Sequence, residues 1–156
     1  GRLYLHSMPG RREPLEAAIA ALRERAIVAI VCLAPRDEVA RTSPEYAAAV
    51  DALTLAERAR VPSLEWDHLP IDELGAPADT AAFWAVAQST ASRLRSGENV
   101  LIHCAAGVGR TGTLAICVLL ELGVPLEASR GLVSAAGAGP EGEAQEQLVS
   151  GPRAPS

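Results

Sequence analysis

The sequence predicts an α/β three-layer sandwich, a central and mostly parallel sheet flanked by helices, and three observations carry that expectation. Ile27-Val28-Ala29-Ile30-Val31 is an unbroken apolar run rich in β-branched residues, as in a central strand buried on both faces. Apolar segments of strand length alternate with segments of helical spacing along the chain, which calls for a layered α/β fold. Val100-Leu101-Ile102 leads through a short loop with two glycines into a helix-like run, Thr113 to Leu120. In such folds sites form at the carboxyl ends of strands, so this junction is where a site is expected.

Element by element, Leu3-Tyr4-Leu5 reads as a first strand, ended by Met8-Pro9-Gly10. Pro14 suits the first position of a helix, and Leu15, Ile19 and Leu22 keep helical spacing to about Arg25. The second strand spans Ala26 to Leu33. Ser43-Pro44-Glu45 has the form of a cap, a first-position proline and an acidic first turn. A helix is expected from there to about Ala59, with Tyr46, Val50, Leu53 and Leu55 partly inward. Val61 to Leu69 reads as another strand, with Pro62 marking its edge or start. Pro70 to Pro77 is a loop of Pro, Gly and acids. Asp79 or Thr80 caps a long helix to about Arg95, with Phe83, Trp84 and Val86 facing the core. Gly97-Glu98-Asn99 turns into a strand, Val100 to His103, and the glycine-containing loop follows. The next helix runs to Leu122 and ends at Gly123. Pro125 opens a helix to about Ala136. Gly137 to Gly142 break it, and Glu143 to Ser150 close the fold. Residues 1–150 are expected to form one domain and 151–156 a frayed tail.

The chain has 156 residues and 49% hydrophobic content, enough for one core and too apolar for a disordered chain. No apolar run approaches the ~20 residues that cross a bilayer, and no charged start followed by a cleavable apolar stretch is present. A net charge of −5 gives no surface for nucleic acid or anionic membrane. The three cysteines lie far apart, against a disulfide framework and in favour of a reducing, cytoplasmic setting. The three histidines are scattered and no two cysteines are within four residues, so neither a metal nor a cofactor is expected.

The chemistry is concentrated in His103-Cys104-Ala105-Ala106-Gly107-Val108-Gly109-Arg110-Thr111. A strand, a tight loop and a helix N-terminus form a cradle for an anion, because the loop N–H groups point inward and the helix dipole favours negative charge. A cysteine under that cradle is a nucleophile placed beneath a tetrahedral oxyanion such as phosphate.

The arrangement resembles the active-site loop of the cysteine-dependent protein tyrosine phosphatases: a Cys, five residues, an Arg, then Ser or Thr. The resemblance is to the compact dual-specificity type, and the start of the chain, Pro70-Ile71 and the closing helices fall where that family has them. It implies the sandwich fold above. It also implies Cys104 as nucleophile forming a phosphocysteine, and Arg110 as a planar fork on phosphate oxygens. The N–H groups of Ala105, Ala106, Gly107, Val108, Gly109 and Arg110 would bind the phosphate, Thr111 would donate to the Cys104 sulfur, and His103 would orient the loop. The family carries an acid in a Pro-Ile-x-Asp pattern; here Glu73 takes the Asp position and Asp72 precedes it, so both stand as candidates for general acid. Gln147, with Glu143, falls in a segment in which relatives position the hydrolytic water; the plainer reading is a solvated helix face. Cys32 is either a redox partner for the nucleophile or a small buried hydrophobe. Arg36, Asp37 and Glu38 could line the pocket or solvate a turn.

The function so implied is hydrolysis of phosphotyrosine, with phosphoserine and phosphothreonine admitted by a shallow pocket, on phosphorylated proteins or peptides. Uncharged Ala105, Ala106 and Val108 argue against polyanionic inositol phosphates. The alternative is a catalytically weak phosphatase-like module that binds phosphorylated partners, favoured only by the Asp-to-Glu departure.

Overall fold

A computed structural model describes residues 1–151; beyond Gly151 the expected 151–156 tail lies outside the described residues. Among the described residues, β1 (Leu3–His6), β2 (Ile27–Cys32), β3 (Glu65–His68) and β4 (Asn99–His103) form one sheet in the order β1-β4-β2-β3. All three pairings are parallel, with Leu3 opposite Val100, Ala29 opposite Val100 on the other side, and Ala29 opposite Glu65. The central pair, β2 and β4, is almost wholly buried, as their unbroken apolar runs require.

Helices cover both faces and complete three layers. On one face α1 (Leu15–Glu24), α2 (Arg36–Thr42), α3 (Pro44–Asp51) and α4 (Leu55–Ala59) pack Leu15, Ile19, Val39, Tyr46 and Leu55 against Ile27, Ile30 and Leu101. On the other, α5 (Thr80–Arg95), α6 (Gly109–Glu121), α7 (Leu126–Ala135) and α8 (Glu143–Ser150) bury Phe83, Trp84, Leu114, Ile116, Val133 and Val149 against Val31, Val100 and Ile102. Asp79 caps α5 by accepting the Ala82 N–H at 2.9 Å. At the far end of the sheet the Gly1 nitrogen donates to the Leu94 carbonyl at 2.7 Å.

The structure departs from expectation in four places. Pro14 stands just outside α1, with ψ 141°, and its carbonyl accepts the Ala18 N–H as the first helical bond. The helix expected from Pro44 to Ala59 is split, because Leu53 takes a φ of +55°. The Thr54 N–H bonds Ala49 O and the Leu53 N–H bonds Val50 O, the paired bonds of a left-handed helix end. Leu53 therefore points into solvent, 88% exposed, rather than inward. Arg60, at φ +54°, ends α4 in the same way and leaves Val61–Leu64 as a turn, so β3 begins only at Glu65. Residues 36–42 form a helix rather than a turn; Asp37 and Glu38 sit in its first turn, where the dipole favours acids, and Asp37 pairs with Arg41.

Candidate active site

The site is assembled at the carboxyl edge of the sheet, where the strand ladder extends into the loops. Leu33 N–H bonds His103 O, Ile71 N–H bonds Leu33 O, and Met8 N–H bonds Ala105 O, at 2.9–3.0 Å. The segment after β1, the start of the Pro70–Pro77 loop and the loop after β4 are thereby fixed to one another through backbone alone.

His103, the last residue of β4, is fully buried and lies in a hydrogen-bond chain of fixed direction. The Trp66 indole N–H donates to Tyr46 Oη at 2.8 Å. Tyr46 Oη stands 2.9 Å from His103 Nε2, and His103 Nδ1 stands 3.0 Å from Cys104 O. A carbonyl only accepts, so Nδ1 carries the proton, and the Tyr46 hydroxyl therefore donates to Nε2. Burial pushes the His103 imidazole down to about 4, so the ring is neutral near pH 7. It orients the Cys104 peptide.

Cys104 is 3% exposed at the base of the loop. Its Sγ receives the Gly107 N–H at 3.3 Å and the Thr111 hydroxyl at 3.2 Å. Gly107 has φ +80°, and a Cβ there would lie 2.4 Å from the His6 carbonyl, so only glycine closes the loop this tightly. Ala105, Ala106, Gly107 and Val108 line the half-buried mouth, while Gly109 opens α6.

Arg110, 5% exposed, explains what α2 is for. Its Nη1 and Nη2 bond the two Glu38 oxygens at 2.7 and 2.8 Å, and Nη1 also bonds Ile71 O at 2.9 Å. Three of the five guanidinium protons are thus used. The Nε–H and the second Nη2–H remain, and they form the side-on fork that matches two oxygens of a phosphate. Burial disfavours the charge, but the Glu38 bonds and the fields of Cys104, Glu38 and Glu73 outweigh it and raise the guanidinium above its usual range.

Of the two acid candidates, Glu73 is among the charges that raise the Arg110 guanidinium. Both are exposed. They begin a tight turn in which the Gly75 N–H bonds Asp72 O at 2.9 Å, with Leu74 at φ +59°.

One expected residue stands elsewhere. Gln147 is exposed and donates to Glu143 Oε1 at 3.0 Å, both on the outer face of α8. It is Gln145, buried, that reaches the site, with Nε2 donating to Gly75 O at 3.2 Å. The reason is helical phase: Val149 faces the core, and the residue four earlier shares its face. Cys32 packs in the core under α1–α4, opposite His103 in the β2–β4 ladder, and the charges of Cys104 and Arg110 reach its thiol. The Cys32 Sγ donates to Ala34 O at 3.7 Å and both thiols are free. Burial pushes the Cys32 thiol up to about 12. Among the described residues no group of three His, Cys, Asp or Glu could hold a metal, and no helix is long and apolar enough to cross a membrane.

A family model described as "Polymorphic toxin system, DSP-PTPase phosphatase" matches residues 6–124. Cyclin-dependent kinase inhibitor 3 of Rattus norvegicus is 38% identical over 55 residues, 35% of this chain and 26% of that protein. The match therefore spans about a quarter of that relative's length. Among solved structures, kinase associated phosphatase (KAP), with serine in place of its catalytic-site cysteine, superposes with a TM-score of 0.74 at 20% identity, covering 95% of this chain and 83% of that one. The active form of Tk-PTP gives 0.73 at 24% identity, covering 96% and 89%. Human DUSP28 gives 0.66 at 16%, covering 94% and 87%. At these identities the likeness concerns the fold.

Proposed function

Because the chain belongs to the DSP-PTPase phosphatases of polymorphic toxin systems, matched over residues 6–124, we propose that it hydrolyses phosphotyrosine in proteins or peptides, and phosphoserine and phosphothreonine as well, through a phosphocysteine on Cys104. The observation that carries this reading is one geometry: a cysteine sulfur receiving two hydrogen bonds, from Gly107 and Thr111, beside an arginine whose side-on fork is free.

In the first step the Cys104 thiolate attacks phosphorus, the S–P bond forms and the ester P–O bond breaks. The leaving alkoxide or phenolate takes its proton from Glu73. Loop N–H groups and the free Arg110 fork stabilise the charge on the phosphoryl oxygens. In the second step water attacks the phosphocysteine and gives its proton to the Glu73 carboxylate. The S–P bond breaks, and the departing thiolate is stabilised by the Thr111 hydroxyl. His103, neutral and tied at both nitrogens, holds the Cys104 peptide and takes no proton. The half-buried loop residues without charge suit a shallow pocket and a single phosphate. A thiolate nucleophile works in a reducing compartment, which the cytoplasm supplies.

The test is hydrolysis of p-nitrophenyl phosphate and of phosphopeptides against pH, with reductant and chelator, for the unaltered protein, Cys104→Ser, Asp72→Asn and Glu73→Gln. Expected are turnover that survives the chelator, its loss in Cys104→Ser, and a flattened alkaline limb on phosphopeptides in Glu73→Gln alone. No turnover with phosphate binding retained would replace this reading with a phosphoprotein-binding module.

A further inference from the structure

Gln145 lies outside the 6–124 segment that the family model matches and outside both catalytic segments, yet its amide is engaged at both its nitrogen and its oxygen. Nε2 donates to Gly75 O at 3.2 Å, and Oε1 accepts the Glu141 N–H at 3.0 Å. Thr113 Oγ1 stands 3.4 Å from the same oxygen but gives its single proton to Gly109 O at 2.8 Å. The neighbours thus fix the amide: a donor must face Gly75 and an acceptor must face Glu141. Gln145 is 2% exposed, so its donor has no water to turn to.

The segment it grips is one that would not hold its shape unaided. In the Asp72–Gly75 turn, Leu74 occupies the left-handed region at φ +59°, which side chains other than glycine adopt reluctantly. Such a conformation persists where the surroundings over-determine it. Two contacts from the C-terminal region do so here. Gln145 holds Gly75 O, and Gly142 lies so close that a Cβ on it would stand 3.2 Å from Leu74 O. Glu73 is the residue just before the strained one.

We infer that Gln145 is a positioning residue for the general acid: its donor pins the end of the Asp72–Gly75 turn so that the Glu73 carboxylate faces the phosphate loop. The inference rests on the reading of Glu73 as the acid. The chain's last helix thereby acts on proton delivery to the leaving group.

Gln145→Glu keeps an oxygen for the Glu141 N–H and sets an acceptor against Gly75 O, but it also brings a charge beside Gly109 of the phosphate loop. Gly142→Ala presses the same turn through Leu74 O and leaves Gln145 untouched. Each is compared with Glu73→Gln on an aryl phosphate with a good leaving group (p-nitrophenyl phosphate) and on a phosphoserine peptide. Both variants are expected to lose on the order of tenfold in kcat on the peptide, part of the ~10²–10⁴ a general acid supplies. On the aryl ester, whose leaving group departs with little help from an acid, they lose far less. The alkaline limb on the peptide flattens, KM is unchanged, and Gln145→Glu adds nothing in a Glu73→Gln background. Equal losses on both substrates, with the pH limb intact, would show a merely structural role and overturn the inference. A selective loss in Glu73→Gln with none in Gln145→Glu or Gly142→Ala overturns it too. No selective loss in Glu73→Gln overturns the acid reading itself, and this inference with it.

Discussion

His103 and Glu38 are the two residues whose removal separates local stability from chemistry. The His103 imidazole sits at about 4 in the folded chain against 6.5 ordinarily, because burial disfavours its cation. The unfolded chain therefore takes up this proton first as pH falls, so the contribution is intact above about pH 6.5 and is lost on the way down to about 4. The loss is on the order of 3 kcal/mol, following about 1.4 kcal/mol per unit. Melting temperature against pH is expected to fall across that window, and the slope to flatten in His103→Gln. Glu38→Gln removes the partner charge of a buried guanidinium. A stability loss of about 3 kcal/mol is expected by denaturant titration, with weaker phosphate binding as the unpaired Arg110 reorients. Cys104, Arg110 and Thr111 could be named from spacing because their relation is local. Glu38 stands in the sequence only as a residue that could line the pocket; its bond to Arg110 could not be read there, since the two meet across 72 positions and only after α2 has formed. Gln145 was legible in principle: burying Val149 in an eight-residue helix buries position 145 and leaves 147 outside.

At the scale of elements, helix ends decide which boundaries are visible in the sequence. Gly97, Gly123 and Gly137 each close a helix with positive φ, and each break is visible in the sequence because glycine is the residue that conformation favours. Leu53 and Arg60 do the same work without glycine, so one long helix was expected where two short ones stand, and β3 was expected four residues too early. α2 carried a weaker signal: a proline, two acids in its first turn, and Arg41 four after Asp37. A prediction follows for the least favourable of these ends. Leu53 is 88% exposed and its side chain buries almost nothing, so Leu53→Gly relieves the backbone at little loss. It should stabilise the protein by about 0.5–1 kcal/mol, read as a higher denaturant midpoint at unchanged slope. A destabilised Leu53→Gly would mean that this end is not under strain.

For the whole molecule, the alternation of strand and helix was enough to give the layered fold, but the order β1-β4-β2-β3 was not, because each neighbour is chosen by packing across the chain. The consequence of that topology is polarity. Four parallel strands send every carboxyl end to one edge, and the Cys104 loop, Glu38, the Asp72–Gly75 turn and Gln145 all meet there. The opposite edge holds Gly1, whose neighbour Arg2 accepts the Val100 N–H at 3.0 Å where β4 begins. A tether joined to residue 1 therefore leaves from the back of the molecule. Beads or a surface coupled through it should present every copy mouth outward, and the ratio of kcat/KM for a folded phosphoprotein to that for a small aryl ester should match the value in free solution. A tether at the Leu74 turn should lower that ratio, because bulk placed at the rim obstructs a macromolecule before it hinders a small ester.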